Sequence, residues 1–133
     1  MNVSRKGVIM TLHEIKVLLD AEILAGGNQM HTEVISAFSA DMMSDLLAFG
    51  SAGSVMLTRM TSPQVIRTSD ILNIAAIIMV RGRIPPPEVI QLSEELNVPI
   101  LATRFLQFEA AGLLYANGLR GNIDKVDEND AAV

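Results

Sequence analysis

The chain has 133 residues, a net charge of -5 and no cysteine, and half of its residues are hydrophobic. This length suits one domain with its own core, and the acidic balance argues against nucleic-acid binding, which needs a basic face. The longest apolar run, residues 74–80, is far shorter than the roughly 20 residues of a membrane span. The composition predicts a cytoplasmic domain without disulfides, and its high apolar content suggests that another subunit covers part of its surface.

A capping box starts the first predicted helix. The hydroxyl of Thr11 can accept a hydrogen bond from the backbone N–H of Glu14, while the Glu14 carboxylate reaches back to Thr11. Apolar residues at helical spacing follow between residues 12 and 19. Two short strands are then predicted: one at residues 22–25, which a pair of glycines ends, and one at residues 34–38.

From residue 41 onwards, predicted helices and strands alternate. Residues 41–49 form a helix that Gly50 would end in the left-handed conformation, and residues 54–58 form a strand. The next helix starts at a proline, and Ser62 is its predicted capping residue. This alternation is typical of an α/β domain with a parallel sheet.

The most informative stretch spans residues 74–101. Residues 74–80 are apolar without interruption, as in a strand covered on both faces, and such strands occur almost only in parallel sheets. Residues 88–96 have a helical period, and residues 98–101 are a second apolar run. Strand, helix and strand at this spacing predict a βαβ crossover.

Thr103 is predicted to cap a last helix at residues 105–117. Its predicted buried residues are Phe105, Phe108, Gly112 and Tyr115. The folded domain is expected to span residues 10–120, between a disordered N-terminal segment at 1–9 and a disordered acidic tail at 121–133. The predicted fold class is an α/β, three-layer α/β/α sandwich with a mostly parallel sheet of about five strands.

Three of these patterns resemble the DRTGG domain, a family related in fold to the N-terminal domain of HPr kinase. They lie at residues 12–27, which end in Ala-Gly-Gly, at residues 75–87 and at residues 98–115. Where relatives carry Thr-Gly-Gly after the apolar strand, this chain has Val80-Arg81-Gly82-Arg83. Family members are attached to phosphotransacetylases, CBS-containing pyrophosphatases or transcriptional regulators. The resemblance, which covers residues 10–118, therefore implies a regulatory or assembly module without catalysis.

No motif for catalysis, a metal or a cofactor stands out. The phosphate-binding patterns G-x-x-x-x-G-K-[ST] and G-x-G-x-x-G are absent, and nothing in the spacing brings His13 and His31 together with carboxylates. The serines have no evident base partner. An enzyme acting on small phosphorylated substrates is therefore disfavoured, and no metal site and no cofactor are predicted.

Polar residues gather where the predicted strands end. The carboxyl ends of parallel strands meet at one edge of a sheet, where ligands of such folds usually bind. The residues predicted at this edge are Ser39, Arg59, Thr61, Ser62, Arg81, Arg83, Thr103 and Arg104. Together with free N–H groups at the helix starts, the four arginines predict a site for a small anionic ligand such as a nucleotide. The alternative is that the hydroxyls are ordinary helix caps and the arginines are solvated or form interface salt bridges.

A group of methionines, Met42, Met43, Met56 and Met60, suits either an oligomer surface or core filling. Two functions therefore remain open. The first is a stand-alone, non-catalytic regulatory module that binds a small anionic effector and forms a homodimer. The second is a structural or accessory subunit that docks onto a larger metabolic or redox enzyme without a ligand of its own.

Overall fold

The computed structural model describes residues 2–3 and 7–127. Within these residues the chain forms five α-helices: α1 (Leu12–Leu18), α2 (Met43–Phe49), α3 (Pro63–Ile71), α4 (Pro87–Leu96) and α5 (Gln107–Ala116). The strands of the described part are β1 (Asn2–Val3), β2 (Met10–Thr11), β3 (Glu22–Ala25), β4 (Glu33–Val34), β5 (Ser36–Ser39), β6 (Ser54–Thr58), β7 (Ala76–Met79), β8 (Ile100–Ala102) and β9 (Ile123–Lys125). A short 3-10 turn, Gly27–Gln29, follows β3.

Five of these strands form the central sheet, in the order β3-β8-β7-β6-β5. Strands β5, β6, β7 and β8 are parallel to one another, and β3 pairs with β8 in the antiparallel direction. In β7, the central strand, Ile77 pairs with Met56 on one side and with Ile100 on the other. The mostly parallel five-stranded sheet and the β7-α4-β8 crossover that the sequence predicts are confirmed.

The helices cover both faces of this sheet. Leu12 of α1 and Leu114 of α5 pack with Ile78 on one face. Val65 of α3 and Val89 of α4 belong to the cluster on the opposite face, together with residues of α2. Because neighbouring residues of a strand point to opposite faces, β7 supplies apolar side chains to both clusters. The predicted three-layer sandwich is confirmed.

The predicted burial on α5 is wrong. Phe108 and Tyr115 are 85% and 60% exposed, Gly112 is exposed as well, and so is Phe105. The helix is instead buried through Ala110 and its neighbours on the opposite side. A helix that is apolar nearly all round has no unambiguous core-facing stripe, so helical spacing alone selected the wrong side.

Two predicted helix boundaries have different causes from those expected. Gly50 ends α2, but it is extended (φ -65°) and not left-handed, and a Cβ at this position would lie 2.6 Å from the Leu46 carbonyl oxygen. Thr103 does not cap the last helix, because the N-cap residue of α5 is Leu106. At α1, by contrast, Thr11 and Glu14 form the predicted capping box.

The two chain ends are partly ordered. Strands β1 and β9 pair in the antiparallel direction, although both lie in segments for which the sequence predicts disorder. Residues 1, 4–6 and 128–133 lie outside the described residues, so disorder there stays a prediction.

The predicted strand at residues 34–38 is divided in two. Ile35 separates β4 from β5, and its N–H donates to the Gly53 carbonyl oxygen.

Gly26 is required by two features of its surroundings. Its φ of +80° is a conformation that side chains disfavour, and a Cβ would lie 2.8 Å from the Pro99 Cα. Its N–H also donates to the Glu94 carboxylate over 2.8 Å. These contacts hold the end of β3 against α4 and the start of β8.

We expect Gly26→Ala to lower the free energy of unfolding by about 2 kcal/mol, because the new methyl group meets backbone. Gly27→Ala is the matched control, since a Cβ there has no neighbour closer than 3.8 Å. The control should stay within about 0.5 kcal/mol of the wild type in urea unfolding. Equal losses in the two variants would contradict this account of Gly26.

Candidate functional site

The carboxyl ends of β5, β6, β7 and β8 lie at one edge of the sheet, because these strands are parallel and adjacent. Arg59 follows β6, Arg81 and Arg83 follow β7, and Arg104 follows β8. All four residues are exposed. The topology therefore places four of the ten basic residues of the chain at a common edge.

Hydrogen bonds join the turns that carry three of these arginines. The backbone N–H of Arg81 donates to the Phe105 carbonyl oxygen, and that of Gly82 donates to the Thr103 carbonyl oxygen, both over 2.9 Å. Arg81 and Gly82 both have positive φ values, 64° and 70°. The two turns are thereby held side by side, and we call Arg81, Arg83 and Arg104 the arginine group.

Within residues 7–127, no member of the arginine group forms an ion pair with an acidic side chain. Arg59 differs, because its Nε lies 3.3 Å from Asp41 Oδ2 and its backbone N–H donates to Asp41 Oδ1 over 3.0 Å. The charge of Arg59 is therefore compensated. The positive charge available to a ligand is concentrated at the ends of β7 and β8.

The hydroxyl residues predicted at this edge lie on different elements. Ser39 lies on β5, three strand spacings or roughly 14 Å from β8, beside a separate cavity of about 180 Å³. Thr61 and Ser62 follow Arg59 at the start of α3, where the Ser62 hydroxyl makes no capping hydrogen bond. Ser39 is therefore distant from Arg104, which follows β8.

Thr103 has a structural role. Its buried Oγ1 donates to the Leu19 carbonyl oxygen over 2.7 Å and accepts from the Phe105 N–H over 3.2 Å. The hydroxyl thus uses its proton and a lone pair in hydrogen bonds within the protein. The first bond ties the end of α1 to the turn that carries Arg104.

The helix starts at this edge provide fewer N–H donors than the sequence suggested. Pro86 is the N-cap residue of α4 and Pro87 follows it, so neither position has an N–H, and Glu88 adds a negative charge in the first turn. Glu109 does the same in the first turn of α5. Arginine side chains, and not helix N-termini, therefore supply the positive charge.

A cleft of about 420 Å³ opens beside the arginine group, within the size range of ligand pockets. It is lined by Asp20, Ala21, Glu22, Gly82, Ile84, Ala102, Thr103 and Arg104. We call it the arginine cleft. Sequence reasoning missed Asp20 and Glu22, because only the antiparallel direction of β3 brings its first residues to the edge where β8 ends. It also missed Ile84, an apolar residue directly after Arg83 that is exposed beside the cleft.

Within the described part of the chain, no group of three or more His, Asp or Glu side chains could hold a metal ion. The same residues include no helix with the length and apolar character that spanning a bilayer requires.

Fold and cleft together define an α/β/α domain with an open cleft at the carboxyl edge of its parallel strands. The family model of the DRTGG domain matches residues 14–116, so this chain belongs to the DRTGG domain family. The resemblance stated from the sequence is thereby confirmed. A search of curated proteins finds no match for the chain.

One similar solved structure is the crystal structure of the CBS and DRTGG domains of the regulatory region of Clostridium perfringens pyrophosphatase, complexed with its activator diadenosine tetraphosphate. It superposes with a TM-score of 0.67 and 20% sequence identity, over 89% of this chain and 51% of that chain. This chain thus spans about half the length of the pyrophosphatase fragment. The likeness concerns the fold.

We expect Thr103→Val to cost about 1–3 kcal/mol of unfolding free energy, because it leaves the buried Leu19 carbonyl oxygen without its donor at nearly constant volume. Thr61→Val is the control, since Thr61 is only half-buried. Urea unfolding with unchanged m-values measures the difference. A neutral Thr103→Val variant would show that this bond does not hold the turn.

Proposed function

We propose that this chain is a cytoplasmic, non-catalytic regulatory module that binds a small anionic, nucleotide-like effector at the arginine cleft and forms a homodimer. The observation that carries the ligand proposal is the arginine group. In a protein of net charge -5, these three exposed arginines lie on two hydrogen-bonded turns and pair with no acidic side chain of residues 7–127.

The chemistry of arginine suits a phosphorylated ligand. A guanidinium group is always charged and presents a planar fork of donors that matches the oxygens of phosphate. Arg104 lines the cleft directly, and the turn of Gly82, which lies between Arg81 and Arg83, forms another part of its wall. A bound phosphate would relieve the mutual repulsion of these cations.

The structural neighbour supports both the regulatory role and the type of effector. That pyrophosphatase fragment is the regulatory region of an enzyme, and its activator, diadenosine tetraphosphate, is a phosphorylated nucleoside compound. A module of the same fold in this chain is therefore proposed to respond to a related class of molecule.

The proposal contains no catalytic step. The lining of the arginine cleft has a single hydroxyl, on Thr103, and its lone pair and proton are both used in hydrogen bonds within the protein. A nucleophile needs an accessible oxygen or nitrogen beside a base, which this hydroxyl does not provide.

To test ligand binding, the melting temperature should be followed with a panel of nucleotides at millimolar concentration. We expect at least one nucleotide to raise it, and we expect Arg104→Gln to weaken binding about tenfold or more, since a hydrogen bond to a charged group is lost. The rise in melting temperature that the nucleotide causes should become smaller as ionic strength increases.

Arg59→Gln is the matched control, because it removes the same charge at the same edge from a residue already paired with Asp41. It should keep the response to the nucleotide. No shift with any nucleotide would refute the ligand proposal, and an equal loss in both variants would place the site elsewhere along the edge.

The homodimer proposal is supported by the exposed apolar face of α5, formed by Phe108, Gly112 and Tyr115. A Cβ at Gly112 would meet no atom within 4 Å, so an open notch lies between the two aromatic residues. A twofold interface requires a self-complementary surface, and an aromatic ring of one copy could fill the notch of the other. The methionines contribute less, since Met56 is fully buried and only Met42 is exposed.

We expect the wild type to sediment as a dimer at micromolar concentration and Phe108→Glu to weaken association about 30-fold or more, as for a central aromatic contact. Because Phe108 is 85% exposed within one chain, the variant should still unfold cooperatively. Ile71→Glu is the control, since Ile71 is 77% exposed on α3, at the opposite face of the sheet. A monomeric wild type would refute the dimer.

The same face of α5 supports the second candidate function, an accessory subunit that docks onto a larger metabolic or redox enzyme. An exposed apolar surface of this kind suits a heterologous partner as well as a second copy. A monomeric wild type whose melting temperature no nucleotide changes would support this second function.

A further inference from the structure

The arginine cleft has an acidic wall as well as a basic one. Glu22 is the first residue of β3 and pairs with Ala102 of β8, while Asp20 lies between α1 and β3 with a φ of 48°. Both carboxylates are exposed and line the cleft that Arg104 lines. Opposite charges therefore face one ligand-sized space.

These opposite charges do not neutralise one another. Among the side chains of residues 7–127, neither Asp20 nor Glu22 forms an ion pair with Arg104. The cleft thus keeps its donors and its acceptors available on separate walls. A ligand can engage both at once if it carries an anionic group and hydrogen-bond donors.

The surface between the two walls is apolar. Ala21 and Ala102 line it, and Ile84, directly after the arginine turn, is 62% exposed at its rim. An exposed β-branched side chain beside a cleft provides a contact surface for a ring. The lining therefore combines basic, apolar and acidic residues.

We infer that Asp20 and Glu22 are specificity residues that restrict the arginine cleft to nucleotides, whose phosphate meets the arginine group while hydroxyl or amino donors of the nucleoside meet the carboxylates. This inference rests on the proposed function. Pyrophosphate and acetyl phosphate carry no such donors, and the two carboxylates repel the second phosphate group of pyrophosphate. Discrimination by repulsion adds to discrimination by the new hydrogen bonds.

The test compares two classes of probe by calorimetry. The first class comprises the 5′-monophosphates of adenosine, guanosine, cytidine and uridine; the second comprises pyrophosphate and acetyl phosphate. The variants are Asp20→Asn, Glu22→Gln and the double variant. Asn keeps the size of Asp and tolerates the left-handed backbone of position 20, so the loop should keep its shape.

We expect at least one nucleotide to bind the wild type about tenfold more tightly than either simple anion. In the double variant that ratio should fall about tenfold or more, because the nucleotide loses acceptors, and for pyrophosphate a repulsion is removed as well. Glu33→Gln removes one carboxylate charge, as each single variant does, but on β4 and outside the cleft lining, and it should leave the ratio unchanged.

Equal binding of nucleotides and simple anions to the wild type would overturn the inference, and so would a double variant with an unchanged ratio. In either case ligand binding at the arginine group still stands. If no probe binds the wild type, the proposed function itself fails.

Discussion

The central strand β7 is completely buried, and this burial accounts for the layers and the strand directions around it. Ile77, Ile78 and Met79 have no exposed surface, so the strand needs a helical layer on each face and a parallel neighbour on each side. Parallel neighbours require crossover helices, and crossovers return every strand in the same direction. The gathering of four arginines at one edge follows from this core requirement.

The reversed edge strand modifies this arrangement. Because β3 runs against β8, the start of β3 and not its end reaches the edge that carries the arginines. Acidic residues therefore face basic ones across the arginine cleft. The hydrogen bond from Thr103 Oγ1 to the Leu19 carbonyl oxygen links the turn after β8 to the end of α1. A parallel strand in this position would have brought its last residues, and not Glu22, to this edge.

The charged cleft and the apolar face of α5 are separate surfaces. The arginine group lies at the carboxyl ends of β7 and β8, whereas Phe108 and Tyr115 project from a helix that covers one face of the sheet. The helix α5 begins three residues after Arg104. The chain connects the two surfaces directly.

Elements with local signals could be predicted from the amino-acid sequence. The capping box of α1, the strand at residues 54–58 and the βαβ unit around β7 all depend on neighbouring residues, which is why the fold class and the family could be predicted. The direction of β3, the side on which α5 is buried and the pairing of Arg59 with Asp41 became visible only in the folded chain. Each of these depends on contacts between residues far apart in the chain, and a periodic pattern does not say which partner a face will meet.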